Sequence, residues 1–553
     1  MKKILLIGAA LLVLLSALWL SRPIYRRYKE KRFIAQAERS VQKSDPATAA
    51  LFARQALQLN PSNLVSTRIM AELADHSNSP QVLAWRQRIV DVEPTLENKL
   101  ALGAAALRYE RFPFPIANRL VIELAGTAKT NSTYQSLAAE LALKQGRFPQ
   151  AEFHFKEVLK LNPTNESAQM NLAVLQLESR DPKMISDARA TLEKLQASRE
   201  NGLRALRSLV ENDLKRNELD LAEPFSKKLL ADPRSMFIDR MVHLTILRRK
   251  QSKEFEPYLL SMQKDVDANP ENIYKLVSWL NLNQLSEVAL KWIESLPPAI
   301  RSEQPVPVAE ADCHVGKKDW SQLESFLNAQ KWGDRDFIRA AILSRALKEQ
   351  KNQMAADVQW QKAIRFSSDK VETLALLANM AGDWQWPEAV EDALWVILEK
   401  YPKETWAAQG LSQSYYSQGN TRGLLKLYSY LIRDSSDPGA ENNFALISLL
   451  LGTNTEKAHQ MAENVFKKDP KNASFLSTCA YSLHLKNKNA EALKLFEQLS
   501  NQELENPSIA AYYGIVLASA GEQEKARKYL KLAERAPTLP EEKTLLAEAG
   551  KQR

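Results

Sequence analysis

A 34-residue period constrains this chain more than any other feature. Counted from Gly439, the residues Asn442, Ala445, Leu446, Leu449, Ala458, Ala462, Val465, Phe466 and Pro470 stand at positions 4, 7, 8, 11, 20, 24, 27, 28 and 32. Counted again from Ala473, the residues Leu476, Cys479, Ala480, Leu483, Ala492, Phe496 and Leu499 fall at 4, 7, 8, 11, 20, 24 and 27. Small residues at 20 in both units, and at 8 in the second, let two helices approach closely, and larger ones fill the space between them. Pro470 lacks an amide hydrogen and stops the second helix before the next unit begins. One helix pair of this size cannot bury its apolar face alone. Stacking the next pair onto it does.

The phase persists along the chain. Units starting at Thr405, Gly439, Ala473 and Pro507 follow one another at 34 residues with no insertion. Glu30–Asn63, Ser132–Asn165 and Phe337–Lys370 keep the same register upstream. Elsewhere it drifts: Leu203–Pro233 is short, Arg180-Asp181-Pro182 replaces a glycine turn, and PPAIRSEQPVPVAEADC breaks the period. The spacing predicts about fourteen units over residues 30–540, degenerate around 170–335. Glycine is scarce, at 16 of 553 residues, and no stretch alternates β-branched with polar residues. The expected fold is all-α, a solenoid of stacked antiparallel helix pairs.

The position pattern resembles the tetratricopeptide repeat family. That resemblance implies a superhelix whose concave groove holds an extended peptide or a partner protein, with first-helix positions 2, 5, 9 and 12 facing it. In the clearest units these are Trp406, Gln409, Gln413 and Tyr416; Ala440, Asn443, Ile447 and Leu450; and Ser474, Ser477, Tyr481 and His484. The candidate partner-binding residues are Trp406, Gln409, Gln413, Tyr416, Asn443, Tyr481 and His484. Aromatics and amides suit a peptide backbone and its apolar anchors. The basic clamp of the family's chaperone-tail-binding branch is missing from these positions.

The net charge of +9 is concentrated at the amino terminus, in Lys2, Lys3 and the run RPIYRRYKEKR, so the body is nearly neutral and no nucleic-acid partner is expected. Between the basic clusters, Ile4–Ser21 holds no charge and as a helix would span about 27 Å, close to a bilayer's hydrocarbon thickness. The sequence therefore reads as a short basic start (1–3), a transmembrane helix (4–21), a basic juxtamembrane segment (22–32), the repeats (30–540) and a polar tail (541–553). A cleaved secretion signal is the competing reading of the apolar run. The combination resembles bacterial envelope proteins that join one membrane helix to a tetratricopeptide array. It implies a single-pass inner-membrane scaffold or adaptor for an envelope assembly, with a slight preference for repeats on the cytoplasmic side.

Chemistry has little to stand on. The six histidines are scattered, Cys313 and Cys479 lie far apart, and no GxSxG, HExxH, Walker loop or dinucleotide fingerprint is present. Cys313-His314 reads as a packed cysteine beside a surface histidine. No cofactor, metal or catalytic residue is expected, and the chain reads as a binding protein rather than an enzyme. The alternative is a structural spacer or homo-oligomerisation platform, and an enzyme of unrecognised type comes a distant third. In GDWQWPEA, one of the indoles of Trp384 and Trp386 is expected to pack beneath an inter-helix turn, the alternative being an exposed pair that forms a binding hot spot.

Overall fold

The computed structural model describes residues 24–266, 268–433 and 436–551. Every regular element among them is helical, and successive helices pair with their neighbours in sequence. The chain divides into two compact units, Met1–Asp265 and Val266–Arg553. In the first, pairs run from the helix over 24–42 with Pro46–Leu59 to Gly202–Lys215 with Leu219–Ala231, and Phe237–Arg249 and Phe255–Val266 follow. In the second they run from Pro270–Leu282 with Ser286–Ser295 to Pro507–Ser519 with Gln523–Ala533, followed by the single helix Pro540–Lys551.

Local chemistry starts each helix where the period places it. Asn63, Asn131, Asn165, Asn472 and Asn506 cap first helices, their side-chain oxygens accepting otherwise orphaned backbone N–H groups. Asp45, Asp181, Asp319, Asn352 and Asn420 do the same for second helices. The helix Thr455–Lys468 ends two residues before Pro470. At the close contact between paired helices, Ala49, Ala151, Ala356, Ala458, Ala492 and Ala526 are buried. Gly514 is tighter still, because a Cβ there would lie 2.9 Å from Leu530 Cδ2.

The turn between the two helices of a pair is built on one left-handed residue, at position 15 of the unit. Gly146, Gly419 and Gly521 fill it where the sequence pattern is clear. Asn78, Asn217, Gln251, Gln284, Lys351, Gln385 and Asn487 adopt the same positive φ elsewhere. A side chain in that conformation costs about 1 kcal/mol, which asparagine bears most easily. In the unit beginning at Glu166 no residue of this turn is left-handed, and the Asp181 cap with Pro182 behind it starts the second helix instead. The period slips near residue 300 because short extra turns, Pro298–Arg301 and Gly333–Arg335, flank the pair Val306–Lys317 and Trp320–Ala329.

The sequence reading added a membrane tether to this fold, and that part is corrected. Among the described residues no helix is long and apolar enough to cross a membrane. The helix over 24–42 carries Arg26, Arg27, Lys29, Glu30, Lys31 and Arg32, and second helices such as Thr455–Lys468 and Gln523–Ala533 are amphipathic, burying one face on their neighbours. The expected transmembrane helix over 4–21 lies outside the described residues. The fold that stands is an all-α array of paired helices. The membrane as a partner, the single-pass bacterial inner-membrane localisation and the membrane-anchored bacterial class have no support among the described residues.

Candidate partner-binding groove

The seven candidate residues do not form one surface. Gln409, Gln413, Tyr416 and Asn443 come together on a concavity of about 540 Å³ between the first helices Thr405–Gln418 and Pro438–Leu450. Leu398, Ala408, Leu431 and Ala440 give it apolar walls, and Asp437 lies at its edge. The amides of Gln409 and Gln413 are exposed, and neither has a hydrogen-bond partner among the described residues. Tyr416 is half-buried, and burial pushes its hydroxyl above the ordinary tyrosine range. The Tyr428 hydroxyl beside it is tied to Ser412 Oγ at 2.9 Å, which fixes that wall.

Trp406, Tyr481 and His484 stand apart from this concavity. Trp406 turns its indole N–H to Glu404, 2.8 Å away, and remains 39% exposed. Tyr481 is buried against Tyr512, ring centroids 4.9 Å apart, and burial pushes its hydroxyl up to about 12. His484 stacks on Tyr481, and its Nδ1 lies 2.7 Å from Asn489 Oδ1. The positions are where the period puts them. Tyr481 is covered by Tyr512 of Pro507–Ser519, and the end of the chain returns beside this face, with Glu542 near both phenols.

That return was not legible as a tail. Leu539 is buried in the cluster containing Tyr415, Leu424 and Tyr428, while Leu545, Leu546 and Ala549 pack on the cluster containing Tyr481 and Tyr512. Glu541 Oε2 accepts from Thr421 Oγ1 at 2.5 Å, and Glu542 accepts from the Tyr512 hydroxyl. The signal was available: Pro540 at the first helical position, two acids in the first turn, and apolar residues at helical spacing behind them.

Other sites singled out in the sequence have structural roles. Trp384 and Trp386 are half-buried and pack edge to face, centroids 5.1 Å apart, with Arg345 and Lys348 over their rings. Burial pushes the Cys313 thiol up to about 12, the opposite of an activated nucleophile. His314 is buried too, not on the surface as expected, and burial lowers its pKa. Among the described residues no group of His, Cys, Asp and Glu is placed to hold a metal ion.

A family model described as tetratricopeptide repeat matches residues 142–212. No curated protein matches the chain. Among solved structures, similarity is found to a chain of the APC/C hetero-tetramer Cut9-Hcn1, at 13% identity and TM-score 0.29, covering 84% of this chain and 99% of that one. A chain of Naa15/Naa10 bound to HypK-THB is 15% identical, with TM-score 0.27 and coverage of 94% and 78%. Human IFIT1, solved as a dimer with m7Gppp-AAAA, is 14% identical, with TM-score 0.30 and coverage of 74% and 95%. At those TM-scores the likenesses carry no argument about partners. Residues 142–212 are similar to tetratricopeptide repeats, and the helix pairs described above extend that arrangement through both units.

Proposed function

We propose that this chain is a protein-interaction scaffold that binds a peptide or protein segment in the concavity between Thr405–Gln418 and Pro438–Leu450. The observation that supports this is the pairing of exposed, unpartnered amides, Gln409 and Gln413, with apolar walls in one open hollow. Amides satisfy the donors and acceptors of an extended backbone, and apolar walls accept its side chains. Besides amides, phenols and aliphatics the hollow is lined by Thr405, Ser412 and Asp437, and the Ser412 hydroxyl is tied to the Tyr428 phenol rather than to a base, which favours binding over catalysis.

A photo-crosslinking residue placed at position 413 of the full chain tests this reading. A second label at Met354, which is 82% exposed and outside the hollow, serves as the control. The expected result is a heterologous protein adduct at 413 that is missing at 354. Q409A/Q413A should then weaken binding of that partner by about tenfold with little change in Tm. Adducts only to further copies of this chain would replace the reading with the homo-oligomer platform.

A further inference from the structure

The carboxy-terminal helix Pro540–Lys551 makes more contact than a simple cap on the last pair needs. A cap would bury Leu545, Leu546 and Ala549 and leave its acids in water. Here Glu541 and Glu542 are both half-buried and turned toward the groove face. Glu541 accepts from Thr421, 120 residues earlier in sequence, and Glu542 accepts from Tyr512 while also facing Tyr416 and Tyr481. Neither glutamate forms an ion pair among the described residues: Glu541 accepts from the Thr421 hydroxyl, and Glu542 accepts from the Tyr512 hydroxyl and, at the start of its own helix, from the Leu539 amide 2.8 Å away. Pro540 rests on Gly419, where a Cβ would come within 3.3 Å of the proline ring. Tyr416 belongs both to this contact and to the open hollow, so the helix abuts the proposed binding site directly.

We infer that the surface formed by Tyr416, Thr421, Tyr481 and Tyr512 is a docking site for an acidic amphipathic helix of the form Glu-Glu-x-x-Leu-Leu, which the chain's own Pro540–Lys551 occupies until a partner protein carrying the same pattern displaces it. This rests on the scaffold reading above and names the partner's chemistry. The chemistry follows from the occupant: phenol and threonine hydroxyls donate to the two adjacent carboxylates, and the apolar floor receives the leucine pair one turn later. The non-helical connection over 534–539 lets the internal helix leave without unwinding the pair before it. Without a Lys or Arg on either glutamate, the internal contact is held by groups that a partner can replace one for one.

The probe is a labelled synthetic peptide, TLPEEKTLLAEAGK, matching residues 538–551. It is titrated against the full chain and against the full-length L545A/L546A variant, whose internal helix is loosened while the groove is intact. The variant should bind at least tenfold more tightly than the natural chain. Adding T421V to the variant, or replacing both peptide glutamates with Gln, should remove most of that gain. Equal binding to both chains, or a gain that survives both changes, overturns the inference. Hydrogen exchange on the natural chain covers the case in which the variant does not fold. Excess peptide should speed exchange across 540–551 and leave the helices of 405–533 protected, and unchanged protection of 540–551 overturns the inference. If 540–551 is displaced but no partner crosslinks at position 413, the docking site stands and the scaffold reading of the hollow fails. The reverse result separates them the other way.

Discussion

The helices between 202 and 266 and those between 405 and 533 solve one packing problem with different chemistry. In the former, Arg207 clasps the buried Asp239 through two bonds of 2.8 Å, and Asp239 also accepts from the Met236 amide, capping its own helix. Arg189 reaches the buried Asp213, Lys250 bridges Asp220 and Glu223, and the buried His243 Nδ1 meets Ser226 Oγ at 2.7 Å. In the latter, rings do this work: Phe496 on Tyr513, Tyr513 on Tyr529 and Tyr481 on Tyr512, all with centroids within 5 Å. The comparison shows that pair geometry tolerates either solution. They respond to different perturbations, however, since ion pairs with buried acids depend on charge state and ring contacts depend on shape.

The largest effect should come from removing a ring. Phe496→Ala deletes a fully buried side chain and is expected to destabilise the last units by about 4 kcal/mol, read as lost hydrogen-exchange protection across 473–533. Arg207→Ala leaves the Asp239 carboxylate buried without its partner and should cost about 3 kcal/mol locally, with exchange protection lost over 202–249. If Phe496→Ala loosens both regions equally, the contrast between them is broken.

Titration should pull the two regions apart. Burial holds His243 below its ordinary 6.5, so the unfolded chain takes up that proton first. Its stability contribution is complete above about pH 6.5 and is lost as pH falls from there toward the lowered folded value. Hydrogen bonds from Lys227 and Lys250 hold Glu223 at about 2, so its contribution is complete above about pH 4.5 and is lost toward pH 2. Burial raises Tyr416, Tyr481 and Tyr512 above 10, which reverses the direction: their contribution is complete below pH 10 and is lost as pH rises through the folded values. Limited proteolysis mapped by mass should therefore open 202–266 first at pH 4 and 405–551 first above pH 10. Cleavage in the same order at both extremes would show that the chemical contrast is energetically idle.

The smallest expected effect lies at the turns. Lys351→Gly relieves a side chain held at a φ of 64° and should raise Tm by about 1–2 °C, after allowing for the added freedom of the unfolded chain. Gly419→Ala should act in the opposite direction by about 1 kcal/mol, since it adds both left-handed strain and a contact on Pro540.

These contrasts explain what was legible in the sequence. The units from Thr405 onward were readable because alanines at the close contact and large apolar residues beside them recur in phase, and they occupy those places in the structure. The central helices hide the same geometry because Asp213, Asp239 and His243 are buried where an apolar residue was sought. Asn217, Gln251 and Gln284 hide the turns because a left-handed residue was sought as glycine. Half of the binding surface was legible for a similar reason. Position in the unit places Gln409, Gln413, Tyr416 and Asn443 on one face, but nothing local to Tyr481 says that Tyr512 will cover it or that residues 545–549 will pack on the same cluster.

The uneven use of glycine at the turn also sets how far a disturbance travels along the array. Stability of a repeat chain divides into what each pair holds by itself and what it gains from its neighbour. A pair closed by Lys, Gln or Asn in the left-handed conformation is weaker in itself and relies more on its interface, so neighbours of that kind melt as a block. Pairs closed by Gly419 or Gly521 keep more of their own stability and can open one at a time. Within the second unit, conformational cooperativity is therefore longer-ranged between Gln284 and Gln385 than at the pairs closed by Gly419 and Gly521, and Asn487 ties its own pair to its neighbours. The end of the chain that carries the groove can rearrange without unravelling the rest.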